Sequence, residues 1–175
     1  MKINQSLKDA LFGVALGGFM CMCAAIYFNK GENPVISEDT TTAVYMLHTL
    51  GMVFGVMMSR NGFPLDKRFS FFRAFGVGYF IMLMAVVVYG FYIRFVYEQN
   101  IELLPAVKEQ LAANTELMFA NEPDLAQSYK TLVESMVTPA FLGAVEALRI
   151  LMATLIPALI TALFFRRKPK VQVEN

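Results

Sequence analysis

The chain has 175 residues, of which 57% are hydrophobic and 17% charged, and its formal net charge is +1. A soluble domain of this length carries about a quarter charged residues, so an ordinary water-soluble fold is excluded. Near-neutral charge also argues against a generally polybasic nucleic-acid binder. The apolar residues gather instead in four blocks bounded by charge, the pattern of membrane spans.

The first block, 10–28, follows Lys2 and Lys8. It is too long for the core of a signal peptide and no small-x-small cleavage site follows, so a retained anchor is expected. Within it "GGFMCMCAAIYF" alternates Met20, Cys21, Met22 and Cys23. Soft sulfur ligands suggest a Cu(I) or thiol site. On a helix, however, Cys21 and Cys23 sit about 200° apart and can neither share an ion nor bond to each other. A metal site would need Met20 and Cys23 to recruit another sulfur, or His48, from a second helix. The outer loops contain no cysteine for a redox relay. No metal or cofactor is therefore expected. Steps of four give a simpler reading: Gly13, Gly17, Cys21 and Ala25 form a stripe of small residues suited to close helix packing.

The second block, 42–58, holds His48 and a shorter stripe, Gly51, Gly55 and Ser59. Counted from the inner ends, Gly13 and Gly55 lie at about 4.5 Å depth, and Gly17 and Gly51 at about 10.5 Å. This predicts a face-to-face pairing of the first two spans, with Cys21 leaving room for Leu47. The loop "SRNGFPLDKRFSFFR" then sets Arg60, Lys67, Arg68 and Arg73 against Asp66.

The third block, 74–95, carries Arg94 near its end and the tyrosines 89, 92 and 97 around it. Residues 96–139 are acidic, with seven carboxylates against Lys108 and Lys130. Leu104, Val107, Leu111 and Met118 share one helical face there. Leu125, Tyr129, Leu132, Val133 and Met136 share another, after Pro123 in a helix-starting position. A helical hairpin outside the membrane is expected, covering the spans, lying in the lipid interface or meeting a partner.

The fourth block, 140–165, contains Glu146 and Arg149, and a basic tail, 166–175, ends the chain. Flanking charge alternates basic, acidic, basic, acidic, basic. By the positive-inside rule, both termini are cytoplasmic. Ionisable residues inside spans mark functional candidates. His48, Arg94, Glu146 and Arg149 all fall in the outer half, with His48 about 9 Å, Glu146 about 10 Å and Arg149 about 15 Å below the surface. Glu146 and Arg149 can neutralise each other at i, i+3 beside a neutral His48. Otherwise they form a small external polar cavity with His48 and Glu146 as the titrating pair. In a third arrangement the fourth span begins only at Ile150, leaving Glu146 exposed. Nucleotide-binding, hydrolase and zinc-protease motifs are absent, and no catalytic residue is assigned.

The order of spans, together with "RFSFFRAFGVGYFIMLMAVVVYGFYIRFVYEQ" (Arg68–Gln99), resembles the bacterial family of domain of unknown function 4199 (DUF4199). Ser70, Phe71, Ala74, Phe75 and Gly78 carry the likeness, which extends over roughly residues 8–168. It implies a four-span protein of Bacteroidota inner membranes, with no catalytic residues to carry over. One departure is Pro105, which comes later than the proline expected soon after the third span.

The expected fold is thus an all-α integral membrane protein, residues 1–175 forming one four-helix transmembrane domain with the 96–139 hairpin outside. The expected function is that of a non-enzymatic accessory or interaction component of the bacterial inner membrane. The alternative is a small oligomeric transporter or channel with an outward-facing site near His48 and Glu146. The implied partners are the lipid bilayer and either a second copy or another membrane protein, without nucleic acid.

Overall fold

Each long helix starts on a polar side chain that accepts from one of its otherwise unpaired first amides. Ser6 N donates to Asn4 Oδ1 at 3.3 Å, and Thr40 N to Ser37 Oγ at 3.2 Å. Arg73 N donates to Ser70 Oγ at 3.3 Å, and Phe141 N to Thr138 Oγ1 at 3.2 Å. The computed structural model describes residues 4–65 and 67–168. Its helices are α1 (Gln5–Phe28), α2 (Glu38–Asn61), α3 (Phe71–Gln99), α4 (Leu104–Met118), α5 (Pro123–Met136), α6 (Pro139–Ala153) and α7 (Leu155–Phe165), with a 3₁₀ turn at Ile101–Leu103 before α4. The first three overshoot the apolar blocks because their caps lie in the polar flanks. Residues 169–175 of the basic tail lie outside the described residues.

The fourth apolar block differs from the single helix expected over 140–165. It divides at Thr154 into α6 and α7. Pro157 has no N–H to give the carbonyl of Ala153, four residues back. The Tyr45 hydroxyl of α2 donates to that carbonyl instead, at 3.3 Å. The Thr154 hydroxyl donates to the carbonyls of Ile150 at 2.9 Å and Leu151 at 3.1 Å. Neighbouring hydroxyls thus satisfy the backbone around the break, which is how apolar spans tolerate proline. Together α6 and α7 remain one apolar run, Pro139–Phe165.

α3 is the hub, packing against α1, α2, α6 and α7. Ile81, Met82, Ala85 and Ile93 are fully enclosed along it. The stripe on α1 faces this helix rather than α2, a correction to the pairing expected from depth. A Cβ on Gly13 would lie 2.7 Å from the carbonyl oxygen of Ile81 and from Met84 Cβ. On Gly17 it would lie 2.7 Å from the carbonyl oxygen of Ala85 and from Val88 Cβ. Four residues along each chain advance the contact in the same sense, so α1 and α3 run parallel. Continued by one step, this register points Cys21 towards α3, and Cys21 packs against the core cluster that holds Tyr89. Ala25 is half-buried while Ala24 is fully enclosed, so the contact line drifts off the four-residue stripe. Gly51 instead makes room for Leu16 of α1, and Gly55 for Phe12 of α1 and Ile81 of α3.

A second close backbone approach lies between α3 and α6. A Cβ on Gly143 would fall 2.4 Å from the carbonyl oxygen of Gly90, and one on Gly90 would fall 2.8 Å from that of Gly143. The helices cross antiparallel there, Gly90 meeting Ala147 and Gly143 meeting Arg94.

The faces turned away from this core are also apolar, and Phe19, Leu50, Phe91, Ile156 and Phe164 stand largely exposed. A helix apolar all round suits lipid rather than water. Four helical segments are long and apolar enough to cross a membrane: Gln5–Phe28, Glu38–Asn61, Phe71–Gln99 and Pro139–Phe165.

Glycine substitutions test the crossing. Gly143→Ala and Gly90→Ala must push two backbones apart, at an expected cost of about 1–3 kcal/mol. Gly18 and Gly76 have open space where a Cβ would go. Alanine at either should be neutral or stabilising by up to about 1 kcal/mol. Melting temperatures of the detergent-solubilised variants check the ranking, and equal effects at all four positions would refute it.

Candidate functional site

The polar candidates do not form one cluster. Arg94 pairs with Glu98, one helical turn on, at 2.7 Å and in an exposed setting. His48 is fully enclosed, and its Nε2 lies 3.4 Å from the carbonyl oxygen of Met82. No hydrogen-bond partner meets its Nδ1 among the described residues. Ser59 belongs to a polar contact rather than to a packing stripe. Its hydroxyl receives the amide of Gln5 at 3.4 Å and donates to Asp9 at 3.5 Å, while Gln5 also donates to Asp9 at 3.1 Å. Asp9 is buried there, a residue that span-counting leaves at the edge of the first block.

Glu146 and Arg149 do meet. Arg149 Nη2 donates to Glu146 Oε2 at 2.6 Å and Nε to the same oxygen at 3.1 Å. A third bond runs from Nη2 to Thr41 Oγ1 on α2, at 3.1 Å. The pair is lopsided: the Glu146 side chain is 5% exposed and that of Arg149 44%. Glu146 is therefore inside the protein, which removes the arrangement in which it stands on an exposed turn.

The same end of the bundle is organised by Asn33. Its Oδ1 accepts from Val35 N at 3.1 Å, from Ile36 N at 3.3 Å and from the Tyr97 hydroxyl. This ties the loop between α1 and α2 to the end of α3. Pro105 occupies the first turn of α4, where its missing N–H costs nothing. α4 and α5 then pack on each other in opposite directions. Lys108 Nζ donates to the carbonyl of Glu134 at 2.9 Å, Lys130 pairs with Glu116, and the rings of Phe119 and Tyr129 stack at 4.8 Å. Val107 is buried on the inner side, whereas Met118, expected on the same face, is exposed.

Between this helical pair and α6 lies a cavity of about 470 Å³. Val107 and Leu111 of α4, Val133 and Met136 of α5, and Leu142 of α6 form apolar walls. Glu146, Arg149, Gln110 and Asn114 supply its polar groups. Concave apolar space with a few converging polar groups is the usual form of a binding site. The sequence marks Glu146 and Arg149 and the two apolar stripes, but not the space enclosed by their meeting. Among the described residues, no three of His, Cys, Asp and Glu gather as a metal-ligand set.

A family model described as "Protein of unknown function (DUF4199)" matches residues 11–167. The match covers the bulk of the chain, and the chain belongs to that family. No curated protein and no solved structure matches it.

The lopsided ion pair makes an asymmetric prediction. Arg149→Met strands a buried carboxylate, and breaking a buried pair costs about 3–5 kcal/mol, less where water reaches one partner. Glu146→Gln leaves a guanidinium that already reaches solvent and keeps Thr41, so its loss should lie nearer the ~0–1 kcal/mol of exposed pairs. The double change should recover much of the Arg149→Met loss. Thermal unfolding of the three variants in detergent is the measurement, and equal single losses without rescue would contradict the geometry.

Proposed function

We propose that this DUF4199 chain, a multi-pass membrane protein, is a non-enzymatic accessory component of a bacterial inner membrane that receives a partner protein at its outer end. The cavity beneath α4 and α5 carries the proposal. It continues into an uncovered apolar stripe on α5, where Leu125, Tyr129, Leu132 and Met136 are each about half exposed, and Leu132 and Met136 also line the cavity. Amphipathic helices with an open groove bind apolar anchors from another chain. The segment around them carries seven carboxylates against two lysines. Such a surface repels anionic lipid and suits a partner with apolar anchors and basic flanks. The loop charges favour both termini in the cytoplasm, which puts the cavity on the far side.

A transporter needs polar groups aligned through the bilayer. Here the polar contacts sit at the two ends, Gln5–Asp9–Ser59 at one and Glu146–Arg149–Thr41 at the other. Between them His48 is enclosed against α3.

Two measurements follow. A photo-crosslinking residue at Met136 should give a discrete protein adduct in cells, and one at Gln127, on the opposite side of α5, should not. Val133→Trp, which fills the cavity, should weaken the Met136 adduct. Adducts to lipid alone, or saturable solute uptake by the purified chain in liposomes, would overturn the proposal. For topology, alkaline phosphatase fused after Asn175 should be inactive and a fusion at Glu122 active; the reverse pattern inverts the protein in the membrane.

A further inference from the structure

At the opposite end of the bundle, the chain entering α3 and the chain leaving α7 are joined by a short antiparallel backbone pair. Phe69 N donates to the carbonyl of Arg167 at 3.0 Å, and Arg167 N to that of Phe69 at 2.8 Å. In extended backbone, successive side chains take opposite faces. Phe69 and Arg167 share the inward one. Phe69 is fully enclosed, and Arg167 Nη2 donates to the carbonyls of Phe63 at 3.0 Å and Pro64 at 2.8 Å. Arg167 is therefore occupied in holding the 59–70 loop.

The residues on either side of that pair serve a different face. Arg68 and Ser70 flank Phe69, Arg166 and Lys168 flank Arg167, and all four, with Phe71 and the paired Phe69 and Arg167 themselves, line a pocket of about 350 Å³. Among the described residues lining it there is no carboxylate. Ser70 and Phe71 bring the start of α3 into its wall, where the helix dipole favours negative charge. The backbone pair fixes three cationic side chains and a helix start around one space.

We propose that this pocket binds the phosphate of an anionic membrane-lipid headgroup. The preference for lipid over a soluble phosphate follows from the side chains next to it. Phe72 and Phe164 are 82% and 80% exposed, the former beside Phe71 and the latter two residues before Arg166. Large aromatic side chains so placed belong in hydrocarbon or at its edge. The headgroup layer lies immediately beyond that edge, at the level of the cations. Basic pockets between spans on the cytoplasmic side are suited to such headgroups. The proposal is independent of the outer cavity and stands whether or not a partner binds there.

The test uses the full chain in detergent, titrated with phosphatidylglycerol, phosphatidylcholine or inorganic phosphate, read by native mass spectrometry and melting temperature. One phosphatidylglycerol should be retained at least ~10-fold more tightly than phosphatidylcholine, given the gain per cation near a lipid headgroup. Inorganic phosphate should neither displace it nor raise the melting temperature. The triple variant Arg68→Gln, Arg166→Gln, Lys168→Gln should lose the preference while keeping its helix content, and Arg166→Lys should retain it. Should the triple variant fail to fold, the singles Arg166→Gln and Lys168→Gln, both exposed side chains, should each weaken the preference severalfold. Equal binding of the two lipids, a preference that survives these variants, or displacement by inorganic phosphate would each overturn the proposal.

Discussion

Backbone contact along α3 is the constraint on which the rest depends. In a bilayer the tails are as apolar as leucine, so burial of apolar surface drives helices together weakly and close packing takes its place. α3 meets that demand on two sides. Gly13 and Gly17 let α1 lie against the carbonyls of Ile81 and Ala85, and Gly90 and Gly143 let α6 approach almost to contact. With both neighbours held at backbone distance, α2 and α7 complete the bundle. Met52 and Val56 of α2 and Ala158 and Ala162 of α7 are buried together with Ala74 and Met82 of α3.

Polar groups follow from that packing. A buried polar group must be paired, and the core offers it little beyond backbone carbonyls. The Ala153 carbonyl left open by Pro157 is taken by Tyr45, and His48 Nε2 faces the carbonyl of Met82. Side chains with more capacity collect at the ends, where they tie sequence-distant segments: Gln5 and Asp9 to Ser59, Asn33 to Tyr97, Arg149 to Thr41. Each such contact is modest alone. Together they fix which helix ends meet, something the small-residue contacts leave loose in rotation.

The spans were readable because lipid imposes length and apolarity on every turn, and the blocks at 10–28, 42–58 and 74–95 lie within α1, α2 and α3. The neighbours of each span were not. Depth-matching treats any two small-residue stripes as candidates to meet, and the stripe on α1 lies as deep against α3 as against α2. Gly90 escaped notice because Arg94 stands where a small residue would continue its stripe. Gly143 did carry a signal, with Ala140, Ala144 and Ala147 around it. At the candidate site, the i, i+3 spacing of Glu146 and Arg149 announced their contact. Arg94 and Glu98, at i and i+4, carried a local signal of the same kind for the pair they form. The cavity was illegible because it belongs to no segment. It arises where residues from 35 to 149 come together.

Close packing at the centre and open space at the α4–α5 end have a common origin. α6 is drawn against α3 by the Gly90–Gly143 crossing, and Leu142, Val145 and Glu146 on another side of it line the cavity. α4 and α5 cover that side, but they spend their best contacts on each other through Lys108, Lys130 and the Phe119–Tyr129 stack. They hang between the end of α3 and the start of α6, joined by the short turn at Ile101–Leu103 and by Val137–Thr138. The cover is anchored to the bundle by Val107 and Val137, which are buried in its core, and by Leu111 and Val133 packed against that core. Glu146 remains enclosed throughout the contact region, while Arg149 reaches both it and the solvent. The charged pair in the cavity wall thus joins an enclosed carboxylate to a guanidinium that is in part exposed.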